Sequence, residues 1–278
     1  MGFLGTLTRR AFVEGMAGNF APHDAPSFTP DYPAFDEEYF EWIALFESVV
    51  DAGDAFTFVE LGAGYGRWCV RAALAARTLR FQCVAVEAEP QHCLWLRDHF
   101  VDNGLSPADH DIRWAAVSGD PGLVAFATGQ PDSWYGQAIR KRADTPYPSI
   151  AERRELMMRS VNGLPQQPSH VEQSIWVPCV IIPDLLAHYP RVDLLDVDIQ
   201  GAEVRALRPA MKALNRRVRR VHIGTHSAEL EVELRRMFLD QGWVSIADYP
   251  GQATSVTAYG PIAFGDGAQT WLNPRTIA

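Results

Sequence analysis

Five ionisable residues stand in or just after short apolar runs. Glu60 lies within 56–61, Glu87 closes 81–87, Asp196 and Asp198 close 192–198, and His226 follows 218–223. Each type suits a definite task. A carboxylate accepts hydrogen bonds from both hydroxyls of a ribose, so Glu87 fits a nucleotide sugar. A carboxylate inside an apolar run is costly unless paired. Glu60 therefore calls for a ligand ammonium or for N–H groups of the turn that follows it. An imidazole titrates near neutrality and suits a general base, with Asp198 beside His226 to orient it or to hold the acceptor. Asp196 and Asp198 are two apart, share a strand face, and as neighbouring carboxylates want a cation or a shared proton. Between Glu60 and Glu87 runs Gly62-Ala63-Gly64-Tyr65-Gly66, with Arg67 next. Such a turn lets main chain approach a nucleotide-like ligand, and the helix behind it attracts acceptors. Plainer readings stay open: a bare βα turn, a solvated acid at Glu87, a helix cap at His226, and at Glu203 a first-turn acid favoured by the helix dipole.

These residues can act together only if their runs are neighbouring strands. Residues 56–61 read as a buried parallel strand and 68–74 as the helix behind the turn. Before them, Tyr39, Phe40, Ile43, Phe46, Val49 and Val50 recur at helical spacing, with Asp36 as N-cap and Gly53 as stop. Residues 81–87 form a second strand, Pro90 opens a helix that Asn103-Gly104 ends, and 111–117 form a third strand. Alternating strands and helices imply right-handed crossovers and a parallel sheet. In such sheets ligands bind beyond the carboxyl ends of the strands, where Glu60, Glu87, Asp198 and His226 fall.

Residues 119–178 break this rhythm. Within them Ser149 and Glu152 predict a capping box. Trp134, Tyr135 and the basic run Arg140-Lys141-Arg142 offer stacking and anion-holding groups for a pocket, or a solvated loop. The alternation resumes with a strand over 175–182, a short helix over 184–188, the strand 192–198, and a helix that Pro209 is expected to divide. Strand 218–223 then precedes a helix capped by Ser227, with Leu230, Leu234, Met237 and Phe238 facing inward and Gly242 past its end. Residues 243–247 and 269–273 read as an antiparallel edge pair. Residues 1–35, with Pro22, Pro26, Pro30 and Pro33, read as an arm or lid.

The chain has 278 residues, 47% hydrophobic and 21% charged, and a formal net charge of −9. The negative balance argues against nucleic acid or an anionic membrane as partner. Four cysteines show neither a CxxC pair nor zinc spacing, which suits a reduced compartment. Arg9-Arg10 leads into too short an apolar stretch for a signal segment, and no run is long enough to span a bilayer. A soluble cytoplasmic protein is expected, with self-association left open.

The order Val59-Glu60-Leu61-Gly62-Ala63-Gly64-Tyr65-Gly66, then Glu87, then Asp198-Ile199-Gln200-Gly201-Ala202-Glu203, then Gly224-Thr225-His226-Ser227, resembles the FkbM family of S-adenosylmethionine-dependent methyltransferases. The resemblance implies a class I methyltransferase: an α/β, Rossmann-like three-layer sandwich on a mostly parallel seven-stranded sheet. It also implies O-methylation of a hydroxyl on a small molecule, sugar or secondary metabolite. Residues 1–53 would be an arm and cap helix, and 54–278 the methyltransferase domain with its insertion at about 119–178. By position, Gly62, Ala63, Gly64 and Gly66 would meet the cofactor, Glu60 its amino-acid end, and Glu87 with Ala88 its ribose. Ala116, Val117 and Ser118 would lie near the adenine, and Asp198 with His226 would serve catalysis. Asp196 departs from the family pattern, since many relatives carry a basic or neutral residue there. It raises a Mg²⁺ or Mn²⁺ site with Asp198 and His226 as a less favoured reading. The rivals are an NAD-dependent oxidoreductase, against which Arg67 in place of a third fingerprint glycine counts, and a non-catalytic cofactor-binding module.

Overall fold

The computed structural model describes residues 2–13, 32–133 and 135–276. Most of the proline-bearing arm, including Pro22, Pro26 and Pro30, lies outside the described residues, as does Trp134. In chain order the elements are α1 (Tyr39–Asp51), β1 (Ala55–Leu61), α2 (Arg67–Ala75), β2 (Arg80–Glu87), α3 (Pro90–Asp102), β3 (Asp111–Trp114), β4 (Ala116–Val117), β5 (Gly122–Thr128) and β6 (Ile139–Arg140). They continue with α4 (Ile150–Val161), β7 (Gln173–Val180), α5 (Ile182–Leu186), β8 (Val192–Val197), α6 (Glu203–Arg217), β9 (Val218–Thr225), α7 (Ala228–Asp240), β10 (Val244–Tyr249), β11 (Ala253–Thr257), β12 (Gly260–Phe264) and β13 (Gly267–Leu272).

Seven strands form the middle layer in the order β10-β13-β9-β8-β1-β2-β3. All neighbours are parallel except at β13, which runs antiparallel to both β9 and β10. The winding direction reverses between β1 and β8, so the crevice beyond their carboxyl ends is the topological switch point. Alternation along β1 feeds two cores. Phe56 and Phe58 pack with Trp42, Leu45, Trp68 and Leu96 from α1, α2 and α3, whereas Val59 and Leu61 pack with residues of α5, α6 and α7. This is the three-layer, Rossmann-like α/β sandwich that the resemblance implies. No helix among the described residues is long and apolar enough to cross a membrane.

Local signals act where expected. Ser149 and Glu152 close a reciprocal capping box, and the Ser227 side chain accepts from Leu230 N–H at the start of α7. Four expectations need correction. The helix expected from Asp36 has Glu38 as its N-cap, and the Asp36 carboxylate instead accepts from Glu38 N–H. The third strand changes partner at Ala115: β3 stays beside β2, but Ala116 and Val117 pair with Cys179 and Val180 in a second sheet, ordered β4-β7-β5-β6. An apolar run does not reveal a change of partner. The helix expected at 184–188 begins two residues earlier, with Pro183 in its first turn, where a missing N–H costs nothing. Pro209 sits inside α6 rather than between two helices. The Arg205 carbonyl that loses its helical donor there is packed against Gly119, where a Cβ would lie 2.6 Å from that oxygen. The β11–β12 hairpin, whose Ile262 and Phe264 pack on Phe40, lies between the two edge strands expected from the sequence.

Candidate active site

The glycine turn owes its shape to positive φ values of 86° at Gly62, 54° at Gly64 and 74° at Gly66. Gly62 also permits close approach of two strand ends, because a Cβ there would lie 1.8 Å from the Asp198 carbonyl oxygen. Hydrogen bonds from Gly62 and Ala63 N–H to the Val86 carbonyl, and from Asp198 N–H to the Leu61 carbonyl, tie the turn to β2 and β8. Gly66 is the N-cap of α2 and packs on Leu96.

Two cavities meet at this turn, sharing Gly62, Gly64, Tyr135 and Asp198 in their walls. The narrower holds about 90 Å³ and is walled by Glu87, Ala88, Ala115, Ala116 and Val117, with His92, Phe126 and Ile139 opposite. Glu87 is buried and answers its own cost. One oxygen accepts from Gly64 N–H at 2.6 Å and the other from Glu89 N–H at 2.6 Å. Burial outweighs these bonds and pushes its pKa up to about 8. Trp114 donates to the Ala88 carbonyl, fixing the floor. Ser118 is fully buried, its hydroxyl has no partner among the described residues, and it is not in this wall. Tyr135 forms a lid: it stacks on His92 at 4.3 Å and donates to the Phe12 carbonyl of the N-terminal segment.

The second cavity, about 490 Å³, is strongly acidic. Glu60, Asp196 and His222 stand in register on β1, β8 and β9, so their side chains share one sheet face. All three are at most 5% exposed. Glu60 takes the Cys69 N–H at 2.9 Å, which answers the need for a turn donor, and burial and then Asp196 raise its pKa well above the usual carboxylate range. Glu41 of α1 hydrogen-bonds to Asp196, and burial raises both pKa values. The carboxyl set against Asp196 is thus Glu41, with Asp198 acting on it only through its field. The Arg67 guanidinium in the same wall is committed to Glu38.

Asp198 and His226 come together as a pair, and Glu203 completes them. The His226 Nε2 lies 3.2 Å from Asp198 Oδ1, as an ion-pair contact, and Nδ1 lies 3.0 Å from Glu203 Oε1. Burial works against the imidazolium, but Asp198 and Glu203 overcome it and raise the pKa to about 10. At neutral pH this ring carries both protons. Asp198 Oδ1 also accepts from the Gln200 side chain at 2.9 Å, in a turn where Gln200 holds a φ of 52°. Asp196 points toward Glu41 rather than His226. Among the described residues no group of three His, Cys, Asp or Glu side chains is placed to hold a metal ion.

Glu41, His222 and the pairing of Glu203 with His226 were not legible in the sequence, whereas Tyr135 was legible as a stacking group of the insertion. A polar residue inside an apolar strand was the available signal for His222. The basic run lies elsewhere: Arg140 and Lys141 line an outer groove with Trp176 and Arg205.

The Methyltransferase FkbM domain, as a family sequence model, matches residues 60–248. A protein of Jannaschia sp. (strain CCS1) named "Putative methyltransferase" is 29% identical over 238 residues, covering 84% of this chain and 78% of its own. The solved structure of methyltransferase FkbM from Methylobacillus flagellatus KT aligns with a TM-score of 0.48 at 11% identity, covering 78% of this chain and 44% of that one. Precorrin-6y C5,15-methyltransferase from Geobacter metallireducens GS-15 aligns with a TM-score of 0.45 at 11% identity, covering 92% and 94%.

Proposed function

The chain belongs to the FkbM methyltransferase family, and from that premise we propose that it moves a methyl group from S-adenosylmethionine to a hydroxyl of a small molecule or sugar. The observation that supports this reading is the meeting of a narrow cleft and a wider cavity at Gly62, Gly64, Tyr135 and Asp198. A cofactor divided between nucleoside and amino-acid ends fits such a junction. In this reading Glu87 meets the ribose, and Ala88, Ala116 and Val117 line the base. Glu60 offers its second oxygen to the ammonium. Bound S-adenosylmethionine supplies a methyl group on a sulfonium, which needs in-line positioning above all.

The chain's own residues then hold the acceptor and remove its proton. Asp198 Oδ1 is engaged by Gln200 and His226, which leaves Oδ2 to receive the hydroxyl proton. His226, kept charged by Asp198 and Glu203, is a positioning residue and has no free lone pair for the base role its type suggests. Tyr135 excludes water from above. The NAD-dependent alternative is not favoured by the family assignment.

Calorimetry is expected to register S-adenosylhomocysteine binding and no NAD binding; the reverse would sink the reading. With tritiated S-adenosylmethionine and a metabolite extract, Asp198→Ala is expected to lower methyl transfer about 10²–10⁴-fold. Its S-adenosylhomocysteine affinity should stay within about threefold of the parent's, the spread of a single lost contact. Transfer at the parental rate would remove Asp198 from the chemistry.

A further inference from the structure

The second cavity holds more acid than a cofactor ammonium uses. That group needs Glu60, one of whose oxygens is already taken by Cys69 N–H. Deeper along the same sheet face stand Asp196 and His222, in register with Glu60 and with each other, roofed by Glu41. His222 is independent of the carboxylates. It is 5% exposed, its Nδ1 sits 2.8 Å from the Thr270 hydroxyl, and its Nε2 has no hydrogen-bond partner among the described residues. Burial holds its pKa down at about 4, so the ring adds no positive charge. Asp196 accepts a main-chain hydrogen bond at Val197, and the side chain bonded to it is another acid, Glu41. Arg67 in the same wall and Arg71 both hold Glu38, and Arg67 reaches Asp196 and Glu41 only through its field.

A buried wall of acceptors with no cation bonded to Asp196 or Glu41 is expensive in the free protein and is relieved by a ligand that donates hydrogen bonds and carries positive charge. The cavity's volume of about 490 Å³ lies within the range of small-molecule sites. Resting on the methyltransferase reading above, we infer that this cavity selects a methyl acceptor that bears an ammonium group beside its hydroxyls, as in an amino sugar or amino alcohol. Asp196 and Glu41 receive the ammonium, whose charge favours their ionised forms and releases the protons that burial holds on them, and His222 takes a neighbouring hydroxyl. The hydroxyl to be methylated then faces Asp198 at the junction of the cavities.

The test titrates the whole protein, saturated with S-adenosylhomocysteine, with glucosamine, glucose and glucuronate. Glucosamine is expected to bind at least tenfold more tightly than glucose, and glucuronate most weakly. The double variant Asp196→Asn with Glu41→Gln, which removes charge without removing volume, is expected to bring glucosamine and glucose within twofold of each other. Its S-adenosylhomocysteine affinity should stay within threefold of the parent's. Three sugars that bind alike, none that binds, or a glucosamine preference that survives in the double variant would each overturn the inference. S-adenosylhomocysteine binding without amine preference overturns this inference alone. Failure of S-adenosylhomocysteine to bind removes the methyltransferase reading and this inference with it.

Discussion

The two cavities handle buried acid in opposite ways. Beside the narrow cleft, both Glu87 oxygens accept from main-chain N–H groups, and Glu89 accepts from His92 N–H at the start of α3. There the protein supplies its own donors, and the acids hold the turn in shape. In the wider cavity Asp196 has a single main-chain bond, at Val197, and another acid, Glu41, against its side chain, and His222 Nε2 has no hydrogen-bond partner among the described residues. In the first arrangement both Glu87 oxygens already have a main-chain donor, whereas in the second the acids face one another. The two sets of acids thus differ in where their hydrogen bonds go, not in burial, which is similar in both.

Four substitutions probe that difference. The largest effect is expected at Gly62, where both a left-handed backbone and the Asp198 carbonyl exclude a side chain. Gly62→Val should cost about 3 kcal/mol or more, read as a lowered urea midpoint, and should abolish S-adenosylhomocysteine binding in calorimetry. Glu87→Gln comes next. An amide keeps one acceptor, so one of the two N–H groups is left facing an NH₂, at about 1–3 kcal/mol. Thermal unfolding should show that loss together with weakened cofactor affinity; an unchanged midpoint would show that Glu87 does not hold the turn.

Asp196→Asn should do the opposite and stabilise the fold, by about 1 kcal/mol at pH 8. The sign follows from linkage. Glu41, Glu60 and Asp196 have raised folded-state pKa values, as do Glu87 at about 8 and Glu89 at about 7. Their stability contribution is complete below the ordinary carboxylate range and is lost as pH climbs through the folded values. His226, raised to about 10, adds a loss over the range from about 6.5 upward. His92 and His222, lowered to about 4, act in reverse and lose their contribution as pH falls below 6.5. Urea unfolding from pH 5 to 10 should therefore show stability declining on the alkaline side, with a shallower decline in Asp196→Asn. An equal slope would count against burial of the Asp196 charge. The smallest effect belongs to Ser149→Ala, expected to cost about 1 kcal/mol through loss of the α4 cap and to leave cofactor affinity untouched.

Legibility followed the range of the interaction. The glycine turn, the Ser149–Glu152 box and the Ser227 cap depend on residues a few positions apart, and each could be read from the chain. Glu87 was legible as an acid at a strand end, but its donors, Gly64 N–H and Glu89 N–H, were not. Asp198 and His226 were legible as candidates. That His226 would be pinned as an imidazolium was not, because Glu203 reads on its own as an ordinary first-turn acid. Tyr135 was noted as an insertion aromatic, and only the fold lays it over both cavities.

The sequence by itself determined which residues are candidates for chemistry, the sheet that lines up their strand ends, and a family whose members transfer methyl groups. It could do so because strand and helix periods, caps and glycine turns are local and strand ends in parallel sheets gather on one side. Only the tertiary structure decided who pairs with whom: Glu203 with His226, Glu41 with Asp196, and His222 in line with Glu60. Those pairings depend on the register of strands far apart in the chain and on where α1 lies across them. Packing sets both, and no short stretch of sequence records either.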